Sequence, residues 1–457
     1  MIDLTWFKHR IRESLRSYRF NESGLAPGRT YRVQKAVGSI DLIDWLHQQN
    51  FPIKVYWADR SGYLEIAGVG SVNTIEMGAQ DIYHAIPEKI SLSLASNIEP
   101  VRFYGGFCFD RERTREEGWK DFGAARFILP RFELLRQGNE TVFACNFSKF
   151  DQGKSPEEVE AEIFREVEKL RFPKYSEPPS FPRIVRAHEV PSQKDWREQA
   201  RSVIKRFNQK TLQKVVLARQ WVIEFAETLE PLNFLRQLKT KNTPGYYFYF
   251  QPVASSAFLG VSPERLYSRE SDEVESEALA GTRPRPNFPR DDQQLAEELR
   301  TNPKELREHR LVADFIEENL RVLCDRVECP EREAVEKLAH VQHLKTKFRG
   351  TLKSGIGDGD IVQALHPTPA VGGAPREAAL QILREVEPFD RGWYAAPIGW
   401  LGKFNAELAV GIRSALAREN TLTLFAGAGI VPDSDPEKEW EETTHKLRMF
   451  TQLFPDL

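Results

Sequence analysis

An α+β fold is what this 457-residue chain predicts, and three observations lead there. Stretches with strand character are not strictly interleaved with helical periods, so antiparallel hairpins fit better than βαβ units. No GxGxxG follows a strand and no GxxxxGK[ST] occurs, which leaves nucleotide-binding doubly wound folds without their phosphate loops. The composition is that of an ordinary globular protein, 40% hydrophobic and 29% charged, with 64 Lys+Arg against 67 Asp+Glu for a net charge of −3. That balance lacks the basic footprint of a dedicated nucleic-acid binder.

The length allows about three domains or one large unit. No run approaches the ~20 apolar residues of a membrane span. Residues 1–20 carry Lys8, Arg10, Arg12, Arg16 and Arg19 but no apolar stretch, so they read as an exposed basic helix rather than a secretory signal. Cys108, Cys145, Cys324 and Cys329 show no CxxC spacing. Free thiols in a reducing compartment are expected, with the cytoplasm as the location.

Strands are expected at Ile53–Tyr56, Arg102–Phe109, Ala125–Glu133 and Thr141–Phe147. Ser155 as N-cap and Pro156 at the first helical position open a helix to Leu170. Five prolines between Phe172 and Pro191 argue for an irregular connector, which divides the chain into portions 1–190 and 191–457. Ser192 then caps a helix through Phe207, and Leu212–Glu224 reads as a strand. The aromatic run Tyr246–Phe250 suggests a buried hairpin over Pro244–Gly260. Leu295–Val327 is helical, with Leu311, Phe315 and Val322 on one side and Val312, Ile316 and Leu320 beside them. Strands near Tyr394–Leu401, Ala406–Ala417 and Thr421–Ala426 precede a closing helix, Pro436–Phe450.

Chemistry concentrates in the second portion. Glu305 and Glu308 are three apart, as are Glu439 and Glu442, so each pair shares one face of a helix. Two such faces meeting would suit Mg²⁺, which takes one or two protein carboxylates and keeps waters or substrate oxygens. The same spacing also fits a solvated acidic face. Gly427-Ala428-Gly429 is a small-residue turn whose backbone N–H groups could approach an anion. Lys214 opens an apolar strand, where desolvation would favour the neutral amine and fit it as a base. Glu264 follows the aromatic strand, and burial would keep it protonated as an acid. Arg413 is a charge inside a strand pattern, suited to bidentate carboxylate binding or to a buried ion pair.

The order of these motifs along the chain is more specific than any one of them. KVVLAR (214–219), GVSPER (260–265), LAGTRPR (279–285) and KELREH (304–309) are followed by QHLKTKFRGTL (342–352) and ALHPTPAVGGAPR (364–376). RGWYAAPIGW (391–400) and AGAGIVPDSDPEKEWEET (426–443) complete the set. Together they resemble the chorismate-utilising enzymes: isochorismate synthases, salicylate synthases, and the large subunits of anthranilate and aminodeoxychorismate synthase. The first 190 residues carry no comparably specific motif.

The resemblance implies a large α/β sandwich, with two β-sheets around a core and helices outside, and a Mg²⁺-dependent reaction on chorismate. Glu308 and Glu442 would be the principal magnesium ligands, with Glu305 and Glu439 in support. Arg413, Tyr394 and the Gly427 and Gly429 amides would hold the enolpyruvyl carboxylate, with Lys446 near the metal-side carboxylate and Thr282 and His366 as further substrate contacts. Lys214 would deprotonate water for attack at C2, and Glu264 would protonate the departing C4 hydroxyl. Ammonia-using anthranilate synthases lack this lysine. Aminodeoxychorismate synthases typically carry a lysine where this chain has Ala280. Both departures point away from amination, and RGWYAAPIGW looks most like isochorismate synthases. Salicylate synthase and a catalytically silent chorismate-binding paralogue are the alternatives. A monomer without a glutamine amidotransferase partner and without membrane insertion is expected, with the product feeding menaquinone or phylloquinone, or siderophores or salicylate.

Overall fold

The computed structural model describes residues 4–17, 30–78, 80–94, 100–148, 155–172, 181–207, 212–285, 288–337 and 341–454. Their strands form a 12-stranded and a 10-stranded sheet, both antiparallel throughout. Strands from before residue 190 and after residue 191 are hydrogen-bonded neighbours in both: Lys54–Ala58 pairs with Tyr246–Val253 in the larger sheet, and Arg102–Phe107 with Pro397–Gly402 in the smaller.

The sheets face each other across the main core, and helices cover the far side of the larger one. The run Tyr246–Phe250 shows how this is written. Tyr246, Phe248 and Phe250 point into the inter-sheet core, while Tyr247 and Tyr249 point to the helix-covered side. A central strand buried on both faces has no polar face to show, so its period of two is hidden in a continuous aromatic run. Between the sheets Phe250 and Phe122 pack on Trp393 at ring separations of 5.0 and 5.3 Å, and Trp119 meets Phe258 edge-on at 5.3 Å. Each of these fully buried rings contributes about 1.5–3 kcal/mol of transfer energy.

Several expected elements prove to be two. The stretch Ala125–Glu133 breaks at Pro130, which lacks the N–H a ladder needs. Ala125–Leu129 lies in the smaller sheet and Phe132–Gln137 in the larger. Ala406–Ala417 breaks in the same way at Gly411–Arg413, between Asn405–Val410 and Ser414–Arg418. The long helix divides at Asn302 into Pro289–Thr301 and Pro303–Leu323, because the Asn302 side chain caps the second helix through the Lys304 and Glu305 N–H groups and Pro303 starts it. Its buried stripe is Val312, Ile316 and Leu320, as expected, but Val322 is exposed and Cys324–Glu328 is a strand.

The connector holds a strand, Ile184–Val190, paired at the edge of the larger sheet between Pro182 and Pro191. Residues 173–180 lie outside the described ones. Ser155 and Ser192 cap their helices as expected, the first with a complete capping box. The basic N-terminal helix, Leu4–Ser17, buries Phe7 and Ile11 against the sheet and ion-pairs Lys8 and Arg12 to Glu168 and Glu160 of the helix Pro156–Lys169. No described helix is long and apolar enough to cross a membrane.

Candidate active site

Two chain crossings between the sheets create the site. Glu264 lies between Ser256–Ser262 of the larger sheet and Arg265–Glu270 of the smaller. Arg413 lies on the opposite crossing, from Asn405–Val410 to Ser414–Arg418, with φ of 50°. The crossings are laced together: Val410 N–H donates to the Glu264 carbonyl at 3.0 Å, Val261 N–H to the Arg413 carbonyl at 3.0 Å, and the Ser262 hydroxyl to the Val410 carbonyl at 2.6 Å. Leaving a sheet frees a residue from the in–out alternation, so both side chains can turn into the space between strands.

The helices Pro303–Leu323 and Pro436–Thr451 bring the carboxylates to the start of the Lys214–Phe225 strand. Lys214 Nζ donates to Glu308 Oε2 at 3.2 Å. Lys304 Nζ lies 3.9 Å from Glu308 Oε1 and 3.5 Å from Glu439 Oε1, bridging the two helices. Lys446 donates to Glu442 Oε1 at 2.7 Å and to the Gly427 carbonyl at 2.8 Å, and the Ser434 hydroxyl donates to Glu439 at 2.9 Å. Glu305, in the first turn of its helix, lies against Gly281, where a Cβ would come within 2.9 Å of its Oε2. Glu308 and Glu439 are thus brought together through Lys304, while Glu442, on the same helix as Glu439, keeps about half of its side chain in solvent.

Arg219 clamps this arrangement. Its buried guanidinium stands 3.8 Å over the Trp440 ring and donates to Thr443 and Thr444 at 2.7 Å each, tying the Glu439–Glu442 helix to the Lys214 strand. On the other side of that strand, Glu387 accepts the Ala218 N–H at 2.8 Å and Arg391 donates to the Val216 carbonyl.

Electrostatics sort the carboxylates into roles. Burial pushes the Glu264 carboxyl up to about 8; the neighbouring Glu277 charge adds to this, while Lys214 and Lys446 pull the other way. Burial likewise raises Glu439, reinforced by Glu442 and Glu308 and opposed by Lys304. At Glu442 burial opposes the charge, but Lys446, with help from Lys214 and Lys304, holds the carboxyl below its ordinary value. Among the described residues no group of three or more His, Cys, Asp or Glu side chains is gathered tightly enough to hold a metal by itself. The donor set is paired carboxylates, all oxygen, held together by ammonium groups that a divalent cation would replace. That is the chemistry of a Mg²⁺ site completed by substrate or water oxygens.

Arg413, Tyr394, Gly427 and Gly429 lie close by. Arg413 makes no ion pair among the described residues; its guanidinium lies 3.6 Å from Met449 Sδ, with Tyr394 and Glu442 near enough to act on its charge. Tyr394 stacks on Phe425 at 5.0 Å and brings its hydroxyl to Gly427, where a Cβ would lie 3.1 Å from it. Gly429 performs the same service for Lys214.

His366 is buried away from the cluster, bonded to the Phe109 carbonyl at 3.1 Å and packed edge-on against Tyr83 and Phe109. Burial takes it down to about 3, so it is a neutral core histidine. His343, in contrast, lies near Arg413. Its Nδ1 lies 3.2 Å from the Gly281 carbonyl, and Arg413 is close enough to disfavour its protonation further after burial has done so. Its position in QHLKTKFRGTL was the available signal. The Thr282 side chain lies outside the described residues; its backbone is His343's ladder partner.

Comparison with known proteins agrees with this geometry. Residues 21–454 match the family model described as chorismate binding enzyme. The chain is 32% identical to isochorismate synthase 2, chloroplastic, of Arabidopsis thaliana over 90% of its length and 78% of the relative's. It is also 32% identical to isochorismate synthase MenF of Bacillus subtilis, over 90% of each chain. The solved structure of MenF, the menaquinone-specific isochorismate synthase of Escherichia coli, superposes with a TM-score of 0.82 at 27% identity, over 97% of this chain and 99% of that one. Anthranilate synthase component I from Streptococcus pneumoniae shares the fold, at a TM-score of 0.70 and 20% identity over 94% of this chain and 93% of its own. The chain thus belongs to the chorismate-binding enzyme family, beside the isochorismate synthases that match it along nearly its whole length.

Proposed function

We propose that this protein is an isochorismate synthase that uses Mg²⁺ to convert chorismate to isochorismate. The observation that carries the reading is the pairing, in one site, of the strand lysine Lys214 with a buried carboxyl, Glu264, that stays protonated at neutral pH. A water-for-hydroxyl exchange needs one group to take a proton and another to give one at the same pH. The names of the relatives matched along most of the chain support the same substrate and product.

Glu308 and Glu442, with Glu305 and Glu439 behind them, would hold the magnesium, which when bound supplies positive charge for the ring carboxylate of chorismate. Arg413, Tyr394 and the backbone around Gly427 and Gly429 hold the enolpyruvyl carboxylate. For Lys214 to act as base, its ion pair with Glu308 must open. The amine then takes a proton from water as the water oxygen bonds to C2 and the ring double bonds shift. The C4–O bond breaks, and Glu264 gives its proton to the departing hydroxyl, which leaves as water. One water enters and one leaves, and the proton gained by Lys214 matches the one lost by Glu264.

The test is incubation of the purified protein with chorismate and Mg²⁺, with an EDTA control and chromatographic resolution of products. Isochorismate alone, abolished by EDTA, is expected. Salicylate with pyruvate would move the protein to the lyase-coupled branch while keeping the site. Chorismate bound without turnover would make it a silent binder.

A further inference from the structure

Glu264 is flanked by an ion cluster distinct from the carboxylate pairs. Its centre is Glu277, buried on the strand Glu273–Pro284. Arg60, from the turn between Lys54–Ala58 and Leu64–Val69, grips Glu277 with both terminal nitrogens, at 2.8 Å each. The same guanidinium donates to the Pro263 carbonyl at 3.1 Å. Lys345 lies 3.0 Å from Glu277 and also donates to Glu336 at 2.8 Å, and the Arg265 N–H points at Glu277 Oε1 at 3.4 Å. The residues immediately before and after Glu264 are thus both tied to one carboxylate.

We propose that Glu277, clamped by Arg60 and Lys345, is a positioning residue whose fixed negative charge holds Glu264 in its acid form. The inference rests on the reading of Glu264 as the acid. Among the described residues no group hydrogen-bonds the Glu264 carboxyl, so its protonation is decided by burial and by the charges that face it. Those are Lys214 from its strand and Lys446 from the last helix, which favour ionisation, and Glu277 from the neighbouring strand, which opposes it. Arg265 turns its own side chain away, to the Tyr246 hydroxyl at 2.9 Å and to Glu407 and Glu275 at 3.2 Å each. Burial favours the acid form, the two lysines oppose it, and Glu277 adds to burial against them. It can serve because it stays ionised: burial opposes its charge, but Arg60 and then Lys345 and Arg265 hold it down to about 2. Arg60 also gives the first portion of the chain a part in the chemistry, through a contact 217 residues apart in sequence.

The test compares wild type with Glu277→Gln, Glu277→Asp and Arg60→Gln. The pH profile of kcat/KM is measured, and the Glu264 carboxyl is followed directly by ¹³C NMR titration, its signal assigned by its loss in Glu264→Gln. In Glu277→Gln the alkaline limb should move down by about one pH unit, so the ratio of kcat/KM at pH 8.5 to that at pH 6 falls about tenfold relative to wild type. Glu277→Asp should restore the limb. Arg60→Gln removes the largest hold on the Glu277 charge and should move the limb down, in the same direction as Glu277→Gln; it also serves if Glu277→Gln does not fold. A uniform loss at every pH with the Glu264 titration unmoved would make the cluster purely structural and overturn the proposal. Absence of isochorismate from the wild type would instead defeat the functional reading, and the NMR titration would still decide the role of Glu277.

Discussion

Lys214 lies diagonally across the ladder from Gly429, and the missing side chain of the glycine is the path along which the lysine reaches Glu308. The ladder pairs Gly429 with Val216, two residues on from Lys214 and on the same face. A Cβ at 429 would stand 2.6 Å from Lys214 Cε, 3.3 Å from Nζ and 3.5 Å from Glu308 Oε2. The pattern Gly-Ala-Gly thus serves close approach of side chains as much as backbone exposure.

Gly429→Ala should therefore fold and fail. The clash is with the flexible end of a lysine, so the stability cost should stay near the ~1–3 kcal/mol of overpacking. Displacing the amine by about 1 Å should cost on the order of 100-fold in kcat. A melting curve that holds beside a collapsed kcat would confirm it.

Lys214→Ala should keep chorismate binding and lose turnover, since Arg413 and Tyr394 stand on separate turns outside the Lys214 strand. Calorimetric binding of chorismate beside the product assay separates the two effects, and normal turnover would remove the lysine from the mechanism.

Alkaline pH should silence the enzyme through Glu264. The acid works in its protonated form, and its carboxyl is pushed up to about 8. As pH rises through that value the proton is lost, and kcat/KM should fall about tenfold per unit above it. Glu264→Gln, which cannot donate a proton, should be inactive across the whole range; a limb unchanged in position in an active Gln variant would contradict this.

Removing magnesium should abolish turnover reversibly, and Glu442→Ala should not be rescued by excess Mg²⁺. Calorimetric titration with the metal alone should show binding in wild type and its loss in the variant, independent of catalysis.

Arg219→Met should loosen the last helix from the Lys214 strand. It removes charge-assisted hydrogen bonds to Thr443 and Thr444 and the contact with Trp440, for a loss of about 3 kcal/mol in denaturant unfolding. The affinity for Mg²⁺ should weaken along with it, because the two Glu doublets are no longer held together.

Local signals were read from the chain directly. Ser155 and Ser192 cap their helices because an N-cap is decided within four residues, and the Glu doublets fall on shared faces because helical spacing is equally local. The order of eight motif blocks identified the family. What the chain order concealed is where strands change sheet. The apolar run through Pro130 and the one through Gly411 each read as a single strand, since a period of two looks the same whether or not the chain has moved to another layer. That change of layer places Glu264 and Arg413, leaves Arg413 without a carboxylate partner among the described residues, and sets Arg60 against Glu277. It also separates the histidines. His343 and His366 both lie in recognisable motifs, and only tertiary packing puts one beside Arg413 and the other in the core at the Phe109 carbonyl. Capping and periodicity act over one turn or one pleat and so are written in the sequence. Charge pairing across two sheets depends on which distant segments meet, and that is determined only when the core closes.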